Sequence, residues 1–126
     1  MKKNIIIISF LFVCFSTAFT QEIHRNSKGL YIDKNNELFT GLYIEYYEDS
    51  SVLSKINISK GIQDGLTILY FDNGSKMEIR SYKKGKKHGK WLNWNLDKIK
   101  IAEARYKNNI KHGKWYIWDN NGVLRY

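Results

Sequence analysis

Four glycines, Gly41, Gly65, Gly89 and Gly113, follow one another at intervals of 24 residues. Glycines alone would be a weak signal, but their neighbours keep the same step. Two positions after each stand Tyr43, Thr67, Trp91 and Trp115; five after each, Tyr46, Tyr70, Trp94 and Trp118; eight after each, Asp49, Asn73, Asp97 and Asn121. Ile58, Tyr82 and Tyr106 align further along, as do Gly61, Gly85 and Asn109, and His88-Gly89-Lys90-Trp91 returns intact at His112-Gly113-Lys114-Trp115. A fixed period of this length means one supersecondary unit used several times, each copy burying its apolar surface against its neighbours. It excludes a fold built around one irregular core.

The unit reads as a β-hairpin. Leu66-Thr67-Ile68-Leu69-Tyr70-Phe71 is β-branched and aromatic, as a strand should be. Asn73-Gly74 then suits a two-residue type I′ turn, with Asn121-Gly122 as its copy and Asp49-Ser50 and Asp97-Lys98 as poorer versions. Lys76 to Tyr82 forms the return strand, and Gly85 and Gly89 allow the left-handed backbone that starts the next hairpin. Met77 and Ile79 share parity while Tyr82 does not, which predicts a β-bulge in that strand. Ile44/Tyr46, Ile68/Tyr70, Leu92/Trp94 and Tyr116/Trp118 share one strand face and are large in every copy, so this face is expected to be the core ladder. The opposite face, with Tyr43, Thr67, Trp91 and Trp115, mixes aromatics with polar neighbours. The expected fold is therefore all-β: a single-layer, twisted antiparallel sheet of 24-residue hairpin repeats at 41–64, 65–88, 89–112 and 113–126, the last truncated. Residues 21–40, with a turn at Asn35-Asn36, form an irregular capping hairpin before them.

The chain starts with an address. Lys2 and Lys3 precede an apolar run from Ile5 to Phe15, followed by Ser16-Thr17-Ala18-Phe19-Thr20, the three parts of a secretory signal. The run is shorter than the roughly 17–25 residues of a membrane-spanning helix. Cleavage after Ala18 or after Thr20 leaves small residues at the required positions; the second makes Gln21 the mature start. An uncleaved anchor is the alternative. A signal helix over 1–20 and export to the periplasm, outer membrane or medium are expected. Cys14 is the only cysteine, and the bulky Val13 before it speaks against lipidation at that site. Loss of the signal leaves no cysteine, so no disulfide can hold the mature protein. The absence of proline suits a chain made of paired strands.

Charge is divided unevenly. The formal +9 resolves into five basic and eight acidic residues over 21–75, against fourteen basic and four acidic over 76–126. Lys83, Lys84, Lys86, Lys87 and Lys90 surround one inter-repeat loop, and Lys107, Lys111 and Lys114 the next. Stacking brings these loops to one sheet edge, beside Trp91 and Trp115. Lysines among exposed aromatics attract anionic surfaces; the same lysines also keep a sheet edge soluble. The candidate binding residues are Trp91, Trp115, Lys86, Lys87, Lys90, Lys111, Lys114, His88 and His112.

Nothing in the sequence assembles a catalytic centre: there is no nucleophile elbow, phosphate loop or dinucleotide fingerprint, and the carboxylates are scattered. His88 and His112 repeat, but equivalent loop positions lie about 9.5–10 Å apart, too far for one ion without a third ligand. No metal and no cofactor are expected, and these histidines read as hydrogen-bonding partners of their turns.

The pattern Gly-x-Trp/Tyr-x-x-Trp/Tyr, then Asn-Gly, then Tyr-Lys-x-Gly/Asn-x-x-His-Gly-Lys-Trp resembles the MORN-repeat variant of many bacterial proteins. It is carried by Gly65 to Tyr70, Asn73-Gly74, Tyr82 to Trp91 and their copies around Gly113, and Leu38-Phe39-Thr40-Gly41 resembles the start of such arrays. The resemblance implies a twisted single-layer array. Some members are classed as antitoxin-like, others as surface or scaffold proteins, and related arrays are linked to scaffolding and to phospholipid head groups. Gln63-Asp64 departs from the Lys-His of later copies, so that loop need not act as theirs do. The expectation is an exported, non-enzymatic protein-binding or scaffold module of the bacterial envelope. Attachment to anionic lipid head groups or acidic glycan through the lysine loops is the alternative. An antitoxin-like role fits poorly with export, and nucleic acid is a disfavoured partner for an exported chain without a reader motif.

Overall fold

The computed structural model describes residues 22–126; the expected signal at 1–20 lies outside them. The described chain is all β. Two short strands, β1 (His24–Arg25) and β2 (Tyr31–Ile32), pair with each other. The main sheet is antiparallel and contains β3 (Gly41–Tyr46), β4 (Val52–Ser59), β5 (Ile62–Tyr70) and β6 (Lys76–Lys83), then β7 (Lys86–Lys87), β8 (Gly89–Trp94), β9 (Lys100–Lys107), β10 (Ile110–Lys111) and β11 (Tyr116–Ile117). Strands follow sequence order across it, with β7 and β8 both on β6, and β10 and β11 both on β9. Each hairpin pairs with the next, which is the repeat array the 24-residue period requires.

Both kinds of turn recur with that period. Inside the hairpins the Phe71 carbonyl accepts from the Gly74 N–H, and the Phe71 N–H donates to the Ser75 carbonyl. Only Gly74 of the Asn73-Gly74 pair has positive φ, as have Ser50, Lys98 and Gly122 in the other copies. These are three-residue loops, not the two-residue type I′ turns expected; Asn73 instead uses Oδ1 to accept from the Ser75 N–H at 2.9 Å. Paired positive φ values, the mark of type I′, fall between repeats, at Lys60-Gly61, Lys84-Gly85 and Asn108-Asn109. Gly85 thus has the left-handed backbone anticipated for it.

Return strands are bulged. The pairing passes from Glu45↔Ser54 to Tyr46↔Val52, from Leu69↔Glu78 to Tyr70↔Lys76, and from Asn93↔Ala102 to Trp94↔Lys100. Leu53, Met77 and Ile101 are the extra residues. The bulge expected in the return strand Lys76–Lys83 is present, at Met77, with counterparts in the first and third repeats; Ile79 and Tyr82 stay on opposite faces, and Glu78, Arg80 and Tyr82 share one.

Adjacent repeats are also tied through their connections. The N–H of Gly61 donates to the Phe39 carbonyl, that of Gly85 to Gln63, and that of Asn109 to Lys87. Beside these, the Lys60 N–H donates to Thr40 Oγ1 at 2.8 Å and the Lys84 N–H to Asp64 Oδ1 at 3.3 Å.

The buried cluster corrects the expected core. Its members are Ile23, Tyr31, Phe39, Tyr43, Ile56 and Ile58. Tyr43 pairs with Ile56, and Ile56 with the buried Thr67, so the packed face is the one carrying Tyr43 and Thr67. Ile44, Tyr46, Ile68, Tyr70, Leu92, Trp94, Tyr116 and Trp118, expected as the core ladder, are only half-buried. The physical reason is the opening segment. Residues 23–39 lie across the Tyr43 face of the first repeat, and nothing among the described residues covers the other face. Alternation marks two faces but does not say which one a segment outside the repeat will choose. Ring contact between Tyr31 and Tyr43 at 5.1 Å, and the Tyr31 N–H donating to Gly61, fasten the segment.

Candidate binding face

Beyond the first repeat the Tyr43 face continues uncovered. In register across it run Tyr43, Ile56, Thr67, Arg80, Trp91, Ala104 and Trp115, with Ile58, Tyr82 and Tyr106 in the neighbouring row. The result is a tilted aromatic row. Centroids lie 5.5 Å apart for Tyr82–Trp91, 5.1 Å for Trp91–Tyr106 and 5.8 Å for Tyr106–Trp115, at interplanar angles of 58°, 55° and 52°. Each pair is tilted, avoiding the face-to-face sandwich that aromatic quadrupoles disfavour. Trp91 is further fixed by its Nε1–H, which donates to the Ser81 carbonyl at 3.1 Å. Trp115 Nε1 is buried and without a partner.

Cations lie on this row. Lys87 Nζ is 4.6 Å from the Trp91 ring and 5.1 Å from Tyr106, and Lys111 Nζ is 3.6 Å from Trp115. Arg80 stands 5.5 Å from Trp91 while its Nε donates to Glu78 Oε2 at 2.6 Å. The backbone of Lys87 is held from both sides by one residue: its carbonyl accepts from the Asn109 N–H, and its N–H donates to Asn109 Oδ1 at 2.8 Å. Asn109 stands where earlier copies have Gly61 and Gly85, so this second bond is peculiar to the third repeat.

The candidate residues thus divide. Trp91, Trp115, Lys87 and Lys111 come together on one face. Lys86 is exposed in the connection, paired across the strands with Lys83. Lys90 lies on the other side of the sheet and reaches Glu103 Oε1 at 3.7 Å. There Glu103 also meets Lys100 at 2.9 Å and Arg105 at 3.9 Å, and its carboxyl is held below the ordinary carboxylate range, chiefly by the Lys100 hydrogen bond. Lys114 lines an open hollow of about 600 Å³ with Lys111, Trp115 and Tyr126. His88 and His112 hold their connections through backbone N–H bonds to Ser81 and Arg105, while His88 Nδ1 is buried without a partner. Tyr82, Tyr106 and Arg80 were not anticipated in the site. The repeated column Ile58/Tyr82/Tyr106 could have revealed the two tyrosines, but only once the bulges had fixed the register.

An open face of aromatic rings and ammonium groups can hold a ligand by stacking and charge; it does not converge on a reacting atom. Among the described residues no cluster of three or more histidine, cysteine or acidic side chains could hold a metal ion, and no helix is long and apolar enough to cross a membrane. The fold and this face define a β-hairpin repeat array. The family model described as MORN repeat variant matches residues 63–84 and 111–126, the family that the sequence pattern resembles. Repeats of this kind are generally binding modules for proteins or membrane lipids. Comparison with curated proteins and with solved structures finds no match.

Proposed function

We propose that this is an exported, non-enzymatic scaffold module of the bacterial envelope that engages a protein partner through the open face of its later repeats. The observation that carries the reading is the contrast along one face. In the first repeat a segment of the chain itself covers it and Tyr43 is buried, whereas the row from Tyr82 to Trp115 is only half-buried, with no such segment over it among the described residues. Aromatic rings held rigid by one another bind with little loss of side-chain entropy, which makes such a row suited to a protein interface. Export rests on the signal-like segment at 1–20.

A photo-crosslinking residue in place of Asn93, on the aromatic face, should yield a discrete protein adduct in envelope fractions. The same residue in place of Lys55, on the opposite face, should not. Adducts from Lys55 alone, or none from either position, would overturn the reading. Recovery of the chain in the cytoplasm with residues 1–20 intact would remove the export claim.

A further inference from the structure

We propose that the open row receives an extended acidic peptide, with carboxylates three residues apart meeting Lys87 and Lys111. This deepens the protein-binding reading above and rests on it.

The molecule contains its own template. In the first repeat, Tyr43, Ile56 and Ile58 form a floor for Ile23, Tyr31 and Phe39 of the opening segment. One repeat later the same positions hold Thr67, Arg80 and Tyr82, a more polar floor. Two repeats later they hold Trp91, Ala104 and Tyr106, which is apolar again. Ala104 stands where the first repeat has Ile56, and the Tyr106 ring lies against both Trp91 and Trp115. The third repeat thus offers an aromatic floor in place of the first repeat's, with no segment of the described chain on it.

What differs is the covering residue. Phe39, whose ring belongs to the first repeat's buried cluster, stands where the third repeat has Lys87. An ammonium group takes the place of an apolar ring. Among the described residues, neither Lys87 nor Lys111 forms an ion pair; the paired basic groups are Arg80, Lys90, Lys100, Arg105 and Arg125. A wholly apolar partner laid over this row would bury two uncompensated cations, which is strongly unfavourable. A partner that covers the row must therefore bring its own carboxylates. Lys84, Lys86 and Lys107, exposed in the same connections, add to its attraction.

Spacing narrows the ligand further. Lys87 and Lys111 belong to equivalent strands of successive hairpins, two strand spacings or about 9.5–10 Å apart. A polyproline II segment rises about 3.1 Å per residue with three residues per turn, so side chains three apart project on one side at about that separation. Such a segment would cross the strands, along the aromatic row, with its two carboxylates on the side that faces the sheet.

The test uses the protein with short synthetic peptides and indole N–H resonances of Trp91 and Trp115 as readout. A peptide with two glutamates three residues apart should shift both resonances on binding. Its isomer with adjacent glutamates should bind about tenfold more weakly, as should the Lys87→Gln and Lys111→Gln variants with the first peptide. Thermal unfolding checks that each variant remains folded. Equal affinity for the two isomers, or unchanged binding by the lysine variants, would overturn the proposal. So would a preference for phosphatidylglycerol vesicles with no peptide binding, since the face would then serve a lipid surface. If adducts from position 93 persist while the peptides fail, the partner chemistry alone is wrong; if the adducts also fail, the protein-binding reading falls with it.

Discussion

At the scale of single residues, the same conformation carries different costs at different glycines. Gly61 and Gly74 both have positive φ, 79° and 83°. A Cβ on Gly74 would meet nothing within 4 Å, whereas one on Gly61 would lie 2.8 Å from Leu38 Cδ2 and 3.1 Å from the Tyr31 carbonyl oxygen. Gly74→Ala should cost only the left-handed penalty, about 1 kcal/mol. Gly61→Ala adds a clash with the backbone of the opening segment and should cost at least about twice that. Equilibrium unfolding of both variants checks the order; equal losses would mean that the segment does not press on Gly61. Tyr43 makes a second prediction. Burial pushes its phenol up to about 12, with the nearby Glu45 charge adding to the effect. A phenol raised in the folded state stabilises the fold below the ordinary tyrosine range near 10, and that contribution disappears as pH rises towards 12. The unfolded chain ionises first, so stability should fall by about 2 kcal/mol across this window. Tyr43→Phe should flatten the fall, measured by denaturation at stepped pH.

At the scale of elements, strands β8 and β9 carry the charge cluster of the second face. Glu103 is half-buried and faces Lys90, Lys100 and Arg105. A carboxyl lowered in the folded state stabilises it above the ordinary carboxylate range, and this is lost as pH falls through the lowered value. Glu103→Gln should therefore cost about 1 kcal/mol at neutral pH, screened because the lysines are partly exposed, and should blunt the acid limb of the stability curve. An unchanged acid limb would show that the cluster is neutral in energy. This face also shows where sequence reading stopped. Period, hairpins, bulges and the left-handed Gly85 were legible because local sterics and alternation dictate them. The choice of packed face was not, because it depends on where Ile23, Tyr31 and Phe39 land, and no periodic column describes them. Trp91, Trp115, Lys87 and Lys111 were readable as a candidate site from their recurrence. Lys90, the sequence neighbour of Trp91, lies on the opposite side of the strand and does not share their face.

At the scale of the whole molecule, the array is one sheet with two unlike ends. The first repeat has a covering segment and every member of the buried cluster. The last strands, β9 to β11, hold mostly half-exposed side chains, with Ile110 71% exposed and Ile117 48% exposed. In a linear array, stability is a sum of repeat and nearest-neighbour interface contributions, so local opening need not involve the whole chain. Amides of β4 and the first half of β5 should exchange with solvent most slowly, and those of β10 and β11 most quickly. Phe39→Ala removes a buried ring from the cover and should cost about 3 kcal/mol. Its effect should be concentrated in β2 to β5, leaving exchange in β8 and β9 close to that of the parent chain. Hydrogen exchange of both proteins decides the matter. Uniform acceleration across all strands would mean that the sheet unfolds as one unit, so that the covering segment supports the bare aromatic face as firmly as the repeat on which it rests.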